Sequence, residues 1–180
     1  MTTARSVAVF CGASLGRDPA WAEAARALGT GLAARGHTLV YGGGKVGLMG
    51  EVANAAAAAG GRVVGVIPEF LRRAEHAHTG IAVLEVTQSM HTRKQRMFDL
   101  ADVFVSFAGG LGTLDETFEI LTWRQLGMHE KPIVVCDIAG SGQALMGAIE
   151  AAIEMGFAKA ELREMVTIVR SVSDLLDWLG

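Results

Sequence analysis

The chain has 180 residues, of which 51% are hydrophobic and 19% are charged, and its formal net charge is −3. This composition excludes a disordered chain, and the length suits one folded domain spanning residues 1–180. The basic residues are scattered, which argues against a nucleic-acid-binding protein, and no apolar run approaches the roughly 18 residues of a membrane span. With no secretory leader pattern and two isolated cysteines, Cys11 and Cys136, the chain is expected to be cytoplasmic.

Seven short, nearly continuous apolar runs alternate with helical patterns along the chain. The runs cover residues 6–11, 37–41, 62–67, 81–86, 102–107, 131–136 and 165–170. Strands that are apolar throughout are buried on both faces, as in parallel sheets covered by helices. Pro19 is placed at a helix start, and Gly60-Gly61 ends an alanine-rich helix. The pattern predicts an α/β fold in which a doubly wound parallel sheet of about seven strands carries helices on both faces.

Ligands of such sheets bind at the carboxyl ends of the strands, and glycine-bearing turns follow three of the predicted strands. In the second turn, the spacing Gly42-x-Gly44-x-x-Gly47 matches a dinucleotide-binding fingerprint. That fingerprint normally follows the first strand and is answered by an acid about 20 residues later, whereas Glu69, the nearest candidate for that acid, comes too late. Glycines that only let a helix approach the sheet explain this turn about as well as ligand contact does.

The third turn, GGLGTLDE (109–116), opens a helix with glycines. The unpaired amide groups and the positive dipole end of a helix start favour a bound phosphate. The same stretch contains Asp115 and Glu116, which would repel a phosphate. A purely structural alternative is that Thr113-x-x-Glu116 forms a capping box at the helix start.

A further segment, SMHTRKQRMFDLA (89–101), is predicted to be a helix whose inward face carries Met90 and Met97. Arg93 shares that face because it is three residues from Met90 and four from Met97, and Lys94 lies beside it. A cation directed toward the core or a cleft needs an anionic partner, since its burial alone is very costly. That partner is either an internal salt-bridge acid, a substrate phosphate or a catalytic carboxylate.

Together, VYGGGKVGLMG (40–50), MHTRK (90–94) and GGLGTLDE (109–116) resemble the motifs of the LOG family, the cytokinin riboside 5′-monophosphate phosphoribohydrolases. The similarity extends over nearly the whole chain, from VFCGAS through LTWRQLG to HEKPI. Three motifs in the same order are far more specific than any single one. Ala108 stands where the family's PGGxGTxxE motif has proline, and Leu111 stands where an aromatic residue is common.

This resemblance implies a Rossmann-like hydrolase that cleaves the N-glycosidic bond of a purine riboside 5′-monophosphate, giving free base and ribose 5-phosphate. It implies no metal or organic cofactor, and a homodimer or larger homo-oligomer in which Trp123 and Leu126 belong to the interface. Arg93 and Glu116 match the catalytic pair. The implied substrate-binding positions are Glu75, Lys94, Gly110, Leu111, Gly112, Thr113, Leu114, Asp115 and Thr122. Further candidates are Ser14, Gly43, Gly44 and Met90.

The chemistry of ribosyl transfer explains why carboxylates accompany an anion-binding loop. Breaking a ribosyl C–N bond builds positive charge on the sugar, as in glycosidases, and a carboxylate near C1′ stabilises that charge. Phosphate bound on the loop amides positions the sugar, and Arg93 keeps Glu116 ionised and oriented.

Three alternatives follow from the same residues. A non-catalytic nucleotide-binding module would show the same phosphate and ribose contacts, but it has no need of a carboxylate beside C1′. A lysine decarboxylase, as the family is also labelled, needs a Schiff-base lysine and a site for the pyridinium nitrogen, and no motif for such a site is found. An NAD-dependent enzyme lacks its ribose-binding acid. For a phosphoribohydrolase, the preferred base stays open, and so does the biological role, which is either hormone activation or general nucleotide salvage.

Overall fold

The computed structural model describes residues 3–72 and 76–180, and its seven strands form one sheet. The strands are β1 (Ser6–Phe10), β2 (Thr38–Tyr41), β3 (Val63–Pro68), β4 (Val83–Thr87), β5 (Val103–Ser106), β6 (Ile133–Cys136) and β7 (Thr167–Val169). All neighbouring strands pair in parallel, in the order β4-β3-β2-β1-β5-β6-β7. The predicted parallel sheet is confirmed, and each predicted strand matches within two residues at either end.

Six α-helices cover the two faces of this sheet. They are α1 (Pro19–Ala34), α2 (Gly47–Ala58), α3 (Met90–Leu100), α4 (Leu111–Gln125), α5 (Gln143–Glu154) and α6 (Val172–Leu179), with short 3-10 helices at Glu69–Leu71 and Ala160–Met165. One hydrophobic core lies between the sheet and α1, α2 and α6, and a second lies between the sheet and α3, α4 and α5. In the described ranges, no helix is long and apolar enough to cross a bilayer.

The helix starts show how local sequence sets these elements. Asp18 caps α1 by accepting a hydrogen bond from the Ala20 amide, and Pro19 follows it as predicted. Helix α3 begins with a capping box between Ser89 and Thr92. Helix α2 ends at Ala58, within its alanine run, and Gly60 two residues later has a φ of +76°.

Helix α4 begins differently, and it overturns one sequence interpretation. Its N-cap is Gly110, which offers no side-chain cap, and its first helical residue is Leu111. Thr113 is therefore the third residue inside the helix, and Glu116 lies in the second turn. The capping-box interpretation of Thr113-x-x-Glu116 is wrong, because the glycine backbone starts the helix earlier than a threonine cap would.

The order of the strands reverses between β1 and β5, which are adjacent in the sheet. The turns that follow these two strands meet there: the Gly12 amide donates to the Ala108 carbonyl at 2.9 Å, and the Phe107 amide donates to the Phe10 carbonyl at 2.9 Å. The amino end of α4 opens onto this crevice. This is the place in a doubly wound sheet where ligands bind.

Candidate functional site

A cleft of about 380 Å³ opens at the carboxyl edge of the sheet beside the β1 and β5 turns. Its size falls in the usual range of small-molecule sites, roughly 300–1,000 Å³. It is lined by Cys11, Gly12, Ala13, Ser14, Met49, Leu71, Met90, Arg93, Gly110, Gly112, Thr113 and Glu116. The structure thus brings together both residues of the expected catalytic pair, three of the glycine-loop positions, Ser14 and Met90.

Arg93 is held in the wall of this cleft with its side chain almost fully buried. Its Nε donates to the Val66 carbonyl at 3.0 Å, and its Nη2 donates to the Gly42 carbonyl at 3.1 Å. Its Nη1 lies 3.7 Å from Oε1 of Glu116. Two of its nitrogen atoms are thus fixed by backbone carbonyls near the ends of β2 and β3, and the third faces the carboxylate. The prediction that Arg93 faces inward is confirmed.

Glu116 presents a buried carboxylate to the same cleft, with only 7% of the residue exposed. It is carried by the second turn of α4, so it stands one turn above the glycine loop that opens the helix. A buried charge requires a counter-charge close by, and the Arg93 guanidinium supplies it. The site therefore combines a negative group that can stabilise developing positive charge with a rigid cationic neighbour.

The glycine loop has the features of an anion site. The first amide groups of a helix have no partner within the helix, and those of α4 open onto the crevice. A Cβ atom added to Gly110 or Gly112 would meet no protein atom within 4 Å. The hydroxyl of Thr113 is buried, and among the described residues it has no hydrogen-bond partner. Buried hydroxyl groups are normally paired, so a ligand or water is expected at this position.

In the fingerprint-like turn after β2, other atoms of the protein occupy the space where glycine side chains would be. A Cβ on Gly42 would lie 2.0 Å from Nη2 of Arg93, and one on Gly47 would lie 2.2 Å from the carbonyl carbon of Ala13. Gly43 has a φ of +77°, and Gly44 pairs with Ala77 in an isolated bridge. Gly43 and Gly44 are not among the residues that line the cleft. The packing explanation accounts for this turn.

Lys94, a residue of α3, lies beside the cleft, and its side chain extends toward α4. Its Nζ is 3.1 Å from Oδ2 of Asp115 and 3.0 Å from Oε2 of Glu119. Burial alone would lower the pKa of Lys94, but the contacts with Glu119 and Asp115 outweigh it and the pKa is raised. Lys94 is therefore firmly protonated, and two acids of α4 surround it.

The remaining expected positions do not line the cleft. Leu111 is 85% exposed at the first helical position, Leu114 packs partly buried against the sheet core, and Thr122 is exposed later on α4. Glu75 lies outside the described residues. Trp123, expected in an interface, packs edge-on against Phe98 of the same chain at 5.2 Å.

Sequence reasoning did not assign Cys11, Gly12, Ala13 or Leu71 to the site. The first three follow β1 at the reversal of strand order, so the turn CGASLG carried a usable signal. Burial raises the pKa of Cys11, the Glu116 carboxylate raises it further, and Arg93 opposes the shift. The thiol stays protonated and is not a nucleophile at neutral pH. Across residues 3–72 and 76–180, no three His, Cys, Asp or Glu side chains are grouped as metal ligands would be.

Comparisons with known proteins show which family and which solved structures the chain is similar to. A family model described as "possible lysine decarboxylase" matches residues 49–179. A cytokinin riboside 5′-monophosphate phosphoribohydrolase of Rhodococcoides fascians is 44% identical over 171 residues, covering 94% of this chain and 86% of that protein. One from Arabidopsis thaliana is 37% identical over 172 residues, covering 96% and 81%. The molybdenum cofactor binding protein of Rippkaea orientalis shares the fold, with a TM-score of 0.73, 21% identity and coverage of 99% and 97%.

Proposed function

The chain belongs to the LOG family of cytokinin riboside 5′-monophosphate phosphoribohydrolases, and we propose that it hydrolyses the N-glycosidic bond of a purine riboside 5′-monophosphate. The products are the free base, a cytokinin or adenine, and ribose 5-phosphate. One observation carries the proposal: the buried carboxylate of Glu116 and the open glycine loop of α4 face the same cleft.

The geometry supports separate positions in the cleft for the phosphate, the ribose and the base of the substrate. The 5′-phosphate lies on the amide groups of Gly110 to Thr113, and the Thr113 hydroxyl donates to it. One helical turn further, Glu116 faces the ribose. The base binds against the apolar part of the lining, which is formed by Met49, Met90 and Leu71.

In the reaction, the bond between C1′ and the base nitrogen breaks and its electron pair leaves with the base. Positive charge develops on the ribose, and the Glu116 carboxylate stabilises it. Water adds its oxygen to C1′, Glu116 accepts one proton from that water, and the departing base takes up a proton. The net change is consumption of one water. Arg93, fixed by the carbonyls of Val66 and Gly42, holds the carboxylate in place.

A decarboxylase reaction, as the name of the family model suggests, fits this site poorly. It requires a lysine that forms a Schiff base with pyridoxal phosphate, and such a lysine must lose its proton. The sequence offers two candidate lysines, Lys45 and Lys94. Lys94 lies beside the cleft, and its contacts with Glu119 and Asp115 keep it protonated. Lys45 lines a different cavity. The site therefore favours the glycosidic reaction.

The test is to incubate the purified protein with AMP, N6-prenyl-AMP, GMP and CMP, and with the matching nucleosides, and to separate released bases by chromatography. We expect release from a purine 5′-monophosphate and hardly any from its nucleoside, because the phosphate supplies the positioning energy. Equal rates on nucleotide and nucleoside would contradict phosphate binding by the loop. Binding of nucleotide without release of any base would instead identify a binding module.

We also propose that the chain self-associates through the end of the molecule where α4 stops. Leu126 is 70% exposed and Phe157 is 84% exposed, and Phe157 lines a groove of about 660 Å³ together with Gln125. Large exposed apolar side chains grouped in this way are typical of interfaces. Light scattering should give a mass above 18.9 kDa, and Phe157→Glu should shift it toward the monomer. A wild-type mass of 18.9 kDa alone would exclude this interface.

A further inference from the structure

Helices α3 and α4 are joined across the edge of the cleft by two successive charged contacts. Arg93 of α3 faces Glu116 of α4, and the next residue, Lys94, faces Asp115 and Glu119. The three acids lie within five consecutive positions of one helix (115–119), and the two cations are adjacent residues of the other helix. The two contacts therefore share one helix–helix register.

The two contacts differ in closeness. The Arg93 guanidinium is 3.7 Å from the Glu116 carboxylate, beyond the distance of a direct hydrogen bond. Lys94 Nζ donates a hydrogen bond to Oδ2 of Asp115 at 3.1 Å, and it lies 3.0 Å from Oε2 of Glu119, an ion pair without hydrogen-bond geometry. Only 14% of the Lys94 side chain is exposed, and 23% of that of Glu119. Ion pairs with this degree of burial are screened less than surface pairs. The Lys94 contacts are the short connection between the two helices.

The charges explain why the shorter contact matters to the site. Without Lys94, Asp115, Glu116 and Glu119 would place three like charges within about one turn and a half of helix, close to where an anionic substrate binds. Lys94 offsets part of this repulsion and draws α4 toward α3. Moving α4 away would carry Glu116 with it, while Arg93 stays on the carbonyls of Val66 and Gly42.

We propose that Lys94 and Glu119 are positioning residues for the reaction, a proposal that rests on the proposed function. Their ion pair fixes the distance between Arg93 and Glu116 and thereby the place of the carboxylate relative to C1′. Lys94 acts through the acids of α4, not by binding the substrate phosphate. The contribution of Lys94 and Glu119 is then to turnover, and the affinity for nucleotide depends on the glycine loop.

Steady-state kinetics of base release separates these roles. Because misplacing a catalytic group by about 1 Å costs on the order of 10²-fold, partial loosening in Lys94→Met should lower kcat by roughly 10-fold and leave KM nearly unchanged. Glu119→Gln should lower kcat less, because Asp115 remains. Lys94→Arg, which keeps the charge, should restore most of the turnover, and the double variant Lys94→Met/Glu119→Gln should be no slower than Lys94→Met alone.

A matched control is Arg163→Met, which breaks the ion pair with Glu150 on α5, away from the cleft, and should change neither kcat nor KM. An increase in KM for Lys94→Met at unchanged kcat, with Glu119→Gln indistinguishable from wild type, would show that Lys94 binds phosphate directly and would overturn the proposal. Unchanged kinetics in all variants of an active protein would overturn it as well. A wild-type protein that releases no base contradicts the proposed function and this inference together.

Discussion

Two glycine-rich turns at the same edge of the sheet look alike in sequence and do different work. In the turn after β2, added Cβ atoms on Gly42 and Gly47 would collide with Arg93 and with the backbone of Ala13. In the turn that opens α4, Gly110 and Gly112 face open space. Gly42 and Gly47 are required by the protein's own packing, and so is Gly109, whose added Cβ would lie 2.0 Å from the Thr113 hydroxyl oxygen. Gly110 and Gly112, by contrast, leave room for a ligand. A glycine pattern thus identifies a ligand site only where no protein atom fills the missing side chain.

Gly47→Ala, in the turn after β2, is expected to cause the largest loss of stability. The residue has a φ of +63°, and its added Cβ would lie 2.2 Å and 2.4 Å from backbone atoms of Ala13 and Ser14. We expect a loss in the free energy of unfolding of about 3 kcal/mol or more, measured by urea denaturation. Gly60→Ala is the matched control, because it has a φ of +76° and no atom within 4 Å. It should lose only about 1–2 kcal/mol, and equal losses in the two variants would contradict the packing role.

Gly112→Ala should have the opposite character. The added methyl group enters the cleft, not the core, and it replaces glycine within the first turn of α4. We expect kcat/KM for base release to fall by about 10-fold or more, while the melting temperature holds or rises because alanine favours helix. A variant that melts lower yet keeps full activity would place this glycine with the packing glycines.

The smallest expected effect is a loss of stability at acid pH through His78, which contacts the turn after β2. His78 donates its amide hydrogen to the Gly43 carbonyl, its Nδ1 accepts from the Gly80 amide, and its Nε2 lies 2.9 Å from Oδ1 of Asn54. Burial lowers the pKa of His78, and Lys45 lowers it further. The unfolded chain therefore binds a proton more readily than the folded chain. Stability from this residue is complete above its unfolded pKa, about 6.5, and is lost as the pH falls through the lower folded pKa.

Urea unfolding at pH 7.5 and pH 5.5 measures this effect. Wild type should lose more stability on acidification than His78→Gln does. His91→Gln, at an exposed position of α3, should keep the wild-type dependence. If the stability of His78→Gln depended on pH as that of the wild type does, this would contradict the presence of a neutral buried histidine beside the turn after β2.

The sequence predicts the parallel sheet and the inward face of α3 because both follow from periodicity. Seven apolar runs mark the strands, and the spacing of Met90 and Met97 identifies Arg93 as buried. Periodicity also locates the glycine loop at a strand end. These features depend only on neighbours along the chain.

The features that the sequence did not predict have two physical reasons, a missing local signal and contacts between distant segments. The capping-box alternative for Thr113 fails because the helix starts at a glycine N-cap, which leaves no side-chain signal. Leu71 reaches the cleft from a segment after β3 that has no motif of its own. The partnership of Lys94 with Glu119 requires the register of two helices, which no local pattern contains.

Glu116→Gln removes the negative charge that is proposed to act on the ribose, and its rate of base release is measured together with nucleotide binding and thermal unfolding. The rate should fall by roughly 10²-fold or more, as expected when a general base or charge stabiliser is lost. Nucleotide binding should hold or tighten because a negative charge leaves the cleft. The melting temperature should fall but the protein should stay folded, because glutamine keeps the shape and Arg93 keeps its two carbonyl contacts but loses its buried counter-charge. Full activity in Glu116→Gln would contradict catalysis by this carboxylate and leave a site that binds nucleotide through its glycine loop without using Glu116.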